Sequence, residues 1–124
     1  MGEPIYKAES FKIIGSCMEV HREPGKGHDE VVYKDALEIE LQRQGLAFSR
    51  EMEYQLIYKG TVLPHKYFAD FVVLEKIILE AKAVECLASA HLKQTLNYLA
   101  ASKLKLGLLV NFGEESLSYK RVVL

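Results

Sequence analysis

Between Lys7 and Val20 the apolar positions Phe11, Ile14 and Met18 recur three or four residues apart, the spacing of a helix that buries one face. "REPGKG" then breaks the pattern with Pro24, Gly25 and Gly27 and predicts a loop. Asp29 stands where an N-cap belongs, and a second helix is predicted to about Gln44. Val32, Ala36, Ile39 and Arg43 form one of its stripes and Tyr33, Leu37 and Leu41 another, with Gly45 as its stop. Three extended segments follow, 47–58, 63–74 and 77–84, joined by turns at Gly60 and around Glu75 and Lys76. Helical spacing returns from Ala88 to Ser102 through Leu92, Leu96 and Leu99. "KLGLLVNF" (105–112) predicts a buried strand, and "YKRVVL" a short C-terminal edge strand. The order ααβββαββ describes an α+β (mixed α/β) domain built on one sheet.

The chain has 124 residues, which suits one domain over 1–124 with a single core. Its 49% hydrophobic and 27% charged residues exclude a disordered or fibrous chain. Sixteen Lys plus Arg against seventeen Asp plus Glu leave a net charge of −1, so no global positive field draws in a polyanion. A local patch of Lys103, Lys105, Lys120 and Arg121 remains open, against the plainer reading of a solvated face. Cys17 and Cys86 lie in apolar segments without a Cys-x-x-Cys pair and are expected to be reduced core residues. The stretch "MGEPIYKAES" lacks a signal pattern, and no apolar run reaches the ~20 residues of a membrane span. A cytoplasmic protein is expected.

The chemistry concentrates in "LEKIILEAKAVE", residues 74–85. Side chains of a strand alternate, so Glu80 and Lys82 share one face while Leu79, Ala81 and Ala83 take the other. Buried charge is costly unless compensated. The preceding strand, "KYFADFVVL", carries one acid, Asp70. If Asp70 meets Glu80, their oxygens suit a hard divalent ion, Mg2+ or Mn2+, with Lys82 beside its water or a phosphate. That meeting has a condition: in an antiparallel pair, opposed residue numbers must sum to an even value, which a two-residue turn at Glu75 and Lys76 forbids. A bulge or a loop of odd length is required. Taken alone, Glu80-Ala81-Lys82 fits a structural cross-strand ion pair as well as a site.

Asp70 followed by Glu80-Ala81-Lys82, set in this order of elements, resembles the PD-(D/E)xK nuclease-like superfamily with its restriction-endonuclease-like αβββαβ core; the chain adds one N-terminal helix and a C-terminal strand. "GHDEVVY" (27–33) supplies Gly27, Glu30 and Tyr33, similar to the Gly-x-x-Glu-x-x-Tyr pattern of the GxxExxY family within that superfamily. The resemblance runs on through "YKDALEIEL", "YFADFVV", "ILEAKAVE", "HLKQTLNYL" and "KLGLLVNFG". It implies that Asp70 and Glu80 are metal ligands, that Lys82 is catalytic, that Glu30 completes the site from its helix, and that Gln94 lies near the metal or phosphate. Ala69 stands where the superfamily's name has proline, and the loop before Glu30 is more polar than the family's usual form.

Against these roles stand plainer ones. An acid at a helix start, such as Glu30, is favoured by the helix dipole alone, and Gln94 is part of a polar strip that any amphipathic helix shows. Tyr33 reads as structural, and His21, His28, His65 and His91 lack zinc-ligand spacing. Three carboxylates in one pocket would repel one another without a cation. Two functions remain: a metal-dependent phosphodiesterase (a nuclease hydrolase) acting on DNA or RNA, or a non-catalytic nuclease-like binding or assembly module in a nucleic-acid-processing complex. Either would work as a homodimer or with a protein partner.

Overall fold

The structure, a computed structural model, describes residues 4–124; the first three residues of the N-terminal stretch lie outside it. Two helices, α1 (Lys7–Arg22) and α2 (Glu30–Arg43), precede strands β1 (Phe48–Tyr58), β2 (Thr61–Val73) and β3 (Ile77–Lys82). Helix α3 (Ser89–Ser102) then leads to β4 (Leu106–Asn111) and β5 (Ser118–Val123). The five strands form one sheet in the order β1-β2-β3-β4-β5. Only β3 and β4 run parallel, because α3 carries the chain back across the sheet between them. This is the expected αβββαβ core with an extra N-terminal helix and a C-terminal strand.

Helices cover both faces of the sheet. On one, Ile13 and Cys17 of α1 and Tyr33, Leu37 and Leu41 of α2 pack against Phe71, Leu79, Leu108 and Phe112. On the other, Tyr98 and Leu99 of α3 pack against Val72, Ile78 and Leu109. With both faces covered, β3 and β4 lie in the interior, which is why their sequences are almost continuously apolar. Of the two stripes on α2, the one through Tyr33 is buried. On α1 the buried stripe is Ser10, Ile13, Ile14, Cys17 and Val20. The predicted partners of Ile14 fall outside it: Phe11 is 81% exposed and Met18 is half exposed. Helical spacing identified a face, but the arrangement of α1 against α2 selected the neighbouring one.

Cys17 is buried, whereas Cys86 is exposed, a correction to its expected place in the core. It lies beyond the end of β3, in the segment leading to α3. Lys120 and Arg121 also part company: alternation along β5 sends Arg121 towards α1, where it donates to Ser10 Oγ and the Ile5 carbonyl.

The chain just after β4 is tied to the end of β3 by Asn111, which is fully buried. It accepts from the Val84 and Gly113 amides and donates to the Val84 carbonyl and Glu114. Gly113 sits so close that a Cβ would overlap the Val84 amide nitrogen and carbonyl oxygen. Backbone cannot rotate aside as a side chain can. Gly113→Ala is therefore expected to lower stability by roughly 2–3 kcal/mol in a urea melt; an unchanged midpoint would show that the two segments separate freely.

Candidate active site on the charged strand pair

Strands β2 and β3 pair through Phe71↔Leu79, Val72↔Ile78 and Val73↔Ile77, an even register. Three residues, Leu74, Glu75 and Lys76, make the turn, with Leu74 and Glu75 both left-handed at φ 57°. The odd loop length that the two acids required is present. Beyond Phe71↔Leu79 the next opposed positions are Asp70 and Glu80, and here side chains replace the backbone ladder. The Asp70 amide donates to Glu80 Oε2 at 2.7 Å, and the Ala81 amide donates to Asp70 Oδ2 at 2.9 Å. Each carboxylate thus caps the neighbouring strand where the two diverge.

β2 also changes face at Asp70. Phe71 and Val73 pack with α1 and α2, whereas Ala69 and the half-buried Tyr67 pack with α3. Across the β1–β2 pair, Arg50 opposes Phe71 and Met52 opposes Ala69, and Glu51 between them has φ 55°. A left-handed non-glycine residue in a strand is a costly conformation. It accompanies the twist that turns Asp70 towards both helical layers.

Asp70 is 6% exposed and Glu80 1%. Burial, and then the Asp70 charge, push the Glu80 carboxyl up to about 8, against the pull of the Asp70 amide, Lys82 and Lys34. Lys82 Nζ donates to Gln94 Oε1 on α3 at 3.0 Å, so the lysine and the helical glutamine singled out in the sequence are joined. Glu30, in the first turn of α2, reaches the site through a residue the sequence did not single out. Lys34 Nζ lies 2.8 Å from Glu30 Oε2 and 2.8 Å from Asp70 Oδ1, with its side chain 14% exposed. Burial alone would lower the Lys34 pKa, but its hydrogen bonds to Asp70 and Glu30 outweigh it and raise the pKa well above its usual value. The repulsion expected among three carboxylates is therefore offset by an ammonium group. The only local signal for this residue was its spacing of four from Glu30 on a helix.

Tyr98, one turn beyond Gln94, is a second addition. Burial first, then the charges of Glu80 and Asp70, push its phenol up to about 12. Its ring meets that of Tyr67 edge-on at 5.6 Å. Gln94 and Tyr98 also line an open groove of about 470 Å³ between β2 and α3, with Lys66, Lys93, Tyr67 and Phe68 along it. Tyr33 is structural, as its position predicted. Its hydroxyl donates to the Gly25 carbonyl at 2.6 Å and accepts from the His28 amide, and its ring stacks on Phe112.

The donors gathered here are hard carboxylate oxygens, the kind that Mg2+ and Mn2+ prefer. No group of three or more His, Cys, Asp and Glu converges as a metal cage among the described residues. Mg2+ needs none, since it is commonly held by one or two carboxylates and otherwise by water and phosphate. The carboxylates of Asp70 and Glu80 are chemically suited to such an ion.

A sequence model of the PD-(D/E)XK nuclease superfamily matches residues 7–122. No curated protein matches the chain. Among solved structures, the crystal structure of SSO0001 superposes with a TM-score of 0.60 over 93% of this chain and 76% of that one, at 16% sequence identity, a likeness of fold. Among the described residues no helix is long and apolar enough to cross a membrane.

Proposed function

The chain belongs to the PD-(D/E)XK nuclease superfamily, and on that premise we propose that it is a metal-dependent phosphodiesterase acting on DNA or RNA. The observation that carries this reading is the even register that sets Asp70 beside Glu80, with Lys82 next on the same face and tied to Gln94. Asp70 and Glu80 would hold Mg2+ or Mn2+; when bound, the ion supplies charge neutralisation at the phosphate and a more acidic water. Lys82 stabilises charge developing on the phosphoryl oxygens or orients the attacking water. Gln94 fixes the Lys82 ammonium, and Glu30 acts through Lys34.

The groove between β2 and α3 supports a nucleic-acid substrate, since Lys66 and Lys93 suit a phosphate backbone and Tyr67 and Phe68 offer ring faces for bases. Placement within the GxxExxY family rests on Gly27, Glu30 and Tyr33. Gly27 has φ 105°, a conformation favouring glycine, Glu30 opens α2, and Tyr33 locks the loop through Gly25. Two free cysteines fit a reducing, cytoplasmic setting. The second reading, a non-catalytic binding or assembly module, is favoured by one observation: Lys34 already compensates Glu30 and Asp70 without a metal.

Melting with and without metal separates the two. Mg2+ or Mn2+ at about 100 times its dissociation constant should stabilise the wild type by ~2.7 kcal/mol, because it binds only the folded chain. In Asp70→Asn that gain should vanish, along with metal-dependent cleavage of a labelled oligonucleotide. Equal melting of the wild type with metal and with chelator would leave the inert module standing.

A further inference from the structure

We infer that Lys34 permanently fills one of two cation positions in the carboxylate pocket, so that the site takes one divalent ion and not a pair. The inference rests on the metal-site reading above and deepens it. Two-metal phosphodiesterases clamp the reacting phosphate between two cations; here Glu30, Asp70 and Glu80 do not converge as one cage among the described residues, but Glu30 and Asp70 share one cation seat. The seat between Glu30 Oε2 and Asp70 Oδ1 is taken, however, by the Lys34 ammonium at 2.8 Å from each. The i, i+4 spacing on α2 places Lys34 over Glu30, and its largely buried stem carries the charge across to β2.

The remaining oxygens suit a single ion. Asp70 Oδ2 accepts from the Ala81 amide and Glu80 Oε2 from the Asp70 amide. Beyond these two bonds Glu80 and Asp70 keep further lone pairs for an ion. Charge agrees with geometry, since once an ion displaces the Glu80 proton, three carboxylates against Lys34 and Lys82 leave one negative charge. One divalent ion reverses that modestly, whereas two would crowd positive charge beside two lysines. Glu30 is then a positioning residue: it holds Lys34 and ligates nothing while Lys34 is present.

The test is Mn2+ binding to the full chain, counted by equilibrium dialysis and by loss of the free-ion electron-spin signal. One ion per chain is expected for the wild type and for Lys34→Arg. Two are expected for Lys34→Met, the second being lost again when Glu30→Gln is added. Lys34→Met leaves Asp70 less compensated, so Glu30→Gln alone supplies an arm that does not depend on its folding. There the count should stay at one, with affinity changed by less than about fivefold, the effect of losing one half-exposed ion pair. Two ions in the wild type, or one in both the wild type and a folded Lys34→Met, would overturn the inference and leave the metal site intact. Weakening of about tenfold or more in Glu30→Gln would do the same by making Glu30 a ligand. No Mn2+ bound by the wild type would remove the metal site itself, and this inference with it.

Discussion

Lys82→Ala should lower metal-dependent cleavage by on the order of 10³-fold while leaving the metal-induced rise in melting temperature nearly whole. The magnitude is that of removing one fixed charge from a developing oxyanion in a site shielded from water. The selectivity follows from position. Lys82 shares the face of Glu80, and its hydrogen bond goes to Gln94 on α3 and not to the carboxylates of Asp70 and Glu80, which bond to strand amides. Gln94→Ala should produce the same pattern on a smaller scale, because it frees the ammonium without deleting it. The check is single-turnover cleavage of an oligonucleotide alongside thermal melting with Mn2+. Loss of the metal shift in a folded Lys82→Ala would make the lysine part of ion binding and sink its assignment to the reacting phosphate.

The second large effect concerns Glu80 and runs the other way in stability. Burial first, and then the Asp70 charge, push its carboxyl in the folded metal-free chain from an ordinary 4.5 up to about 8. Between those values the folded state keeps a proton that the unfolded chain has released. Stability must then fall as pH rises from 4.5 to 8 and level off above. Glu80→Gln keeps a carbonyl for the Asp70 amide and carries no charge to bury. It should match the wild type near pH 4.5 and exceed it increasingly as pH rises to 8.5 in chelator, by more than ~1.4 kcal/mol, the equivalent of one pH unit. The same variant should lose metal stabilisation and cleavage. Denaturant melts at the two pH values decide it: parallel pH profiles for the two proteins would show that Glu80 is not the group that titrates.

These two variants separate groups that one strand carries side by side. A gain in stability with loss of function is expected where a buried charge is kept for binding and not for folding. The Asp70–Glu80 pair has a structural part of its own, since each carboxylate caps the backbone of the other's strand; on the proposed function the same groups would also hold an ion.

Much of this was legible in the chain because its causes are local. Period-2 alternation in 77–82 placed Glu80 and Lys82 on one face, and parity set the condition for Asp70 to join them, an odd turn, which the structure meets by taking Leu74 out of the strand into a turn with Glu75 and Lys76. The helix stop at Gly45, with φ 71° and its amide bonded to the Gln42 carbonyl, follows from the freedom of one residue. None of these depends on where a distant segment lies.

What the tertiary structure decided depends on how the layers sit over one another. Lys34 meets Asp70 across thirty-six positions because the start of α2 lies over the end of β2, a relation that no period encodes. Phe11 and Ile14 are equally apolar, yet only Ile14 is buried, since α2 covers one side of α1 and leaves the other bare. Tyr98 entered the site because β2 changes face at Asp70, opposite the left-handed Glu51, and brings its acid within reach of α3. Sequence determined the elements, their order and the condition under which Asp70 could pair with Glu80, through forces acting over a few residues; the three-residue turn that meets it came from the structure. The packing of helices on the sheet determined which cation compensates those acids, because charges far apart in sequence interact only where the fold brings them together and excludes water between them.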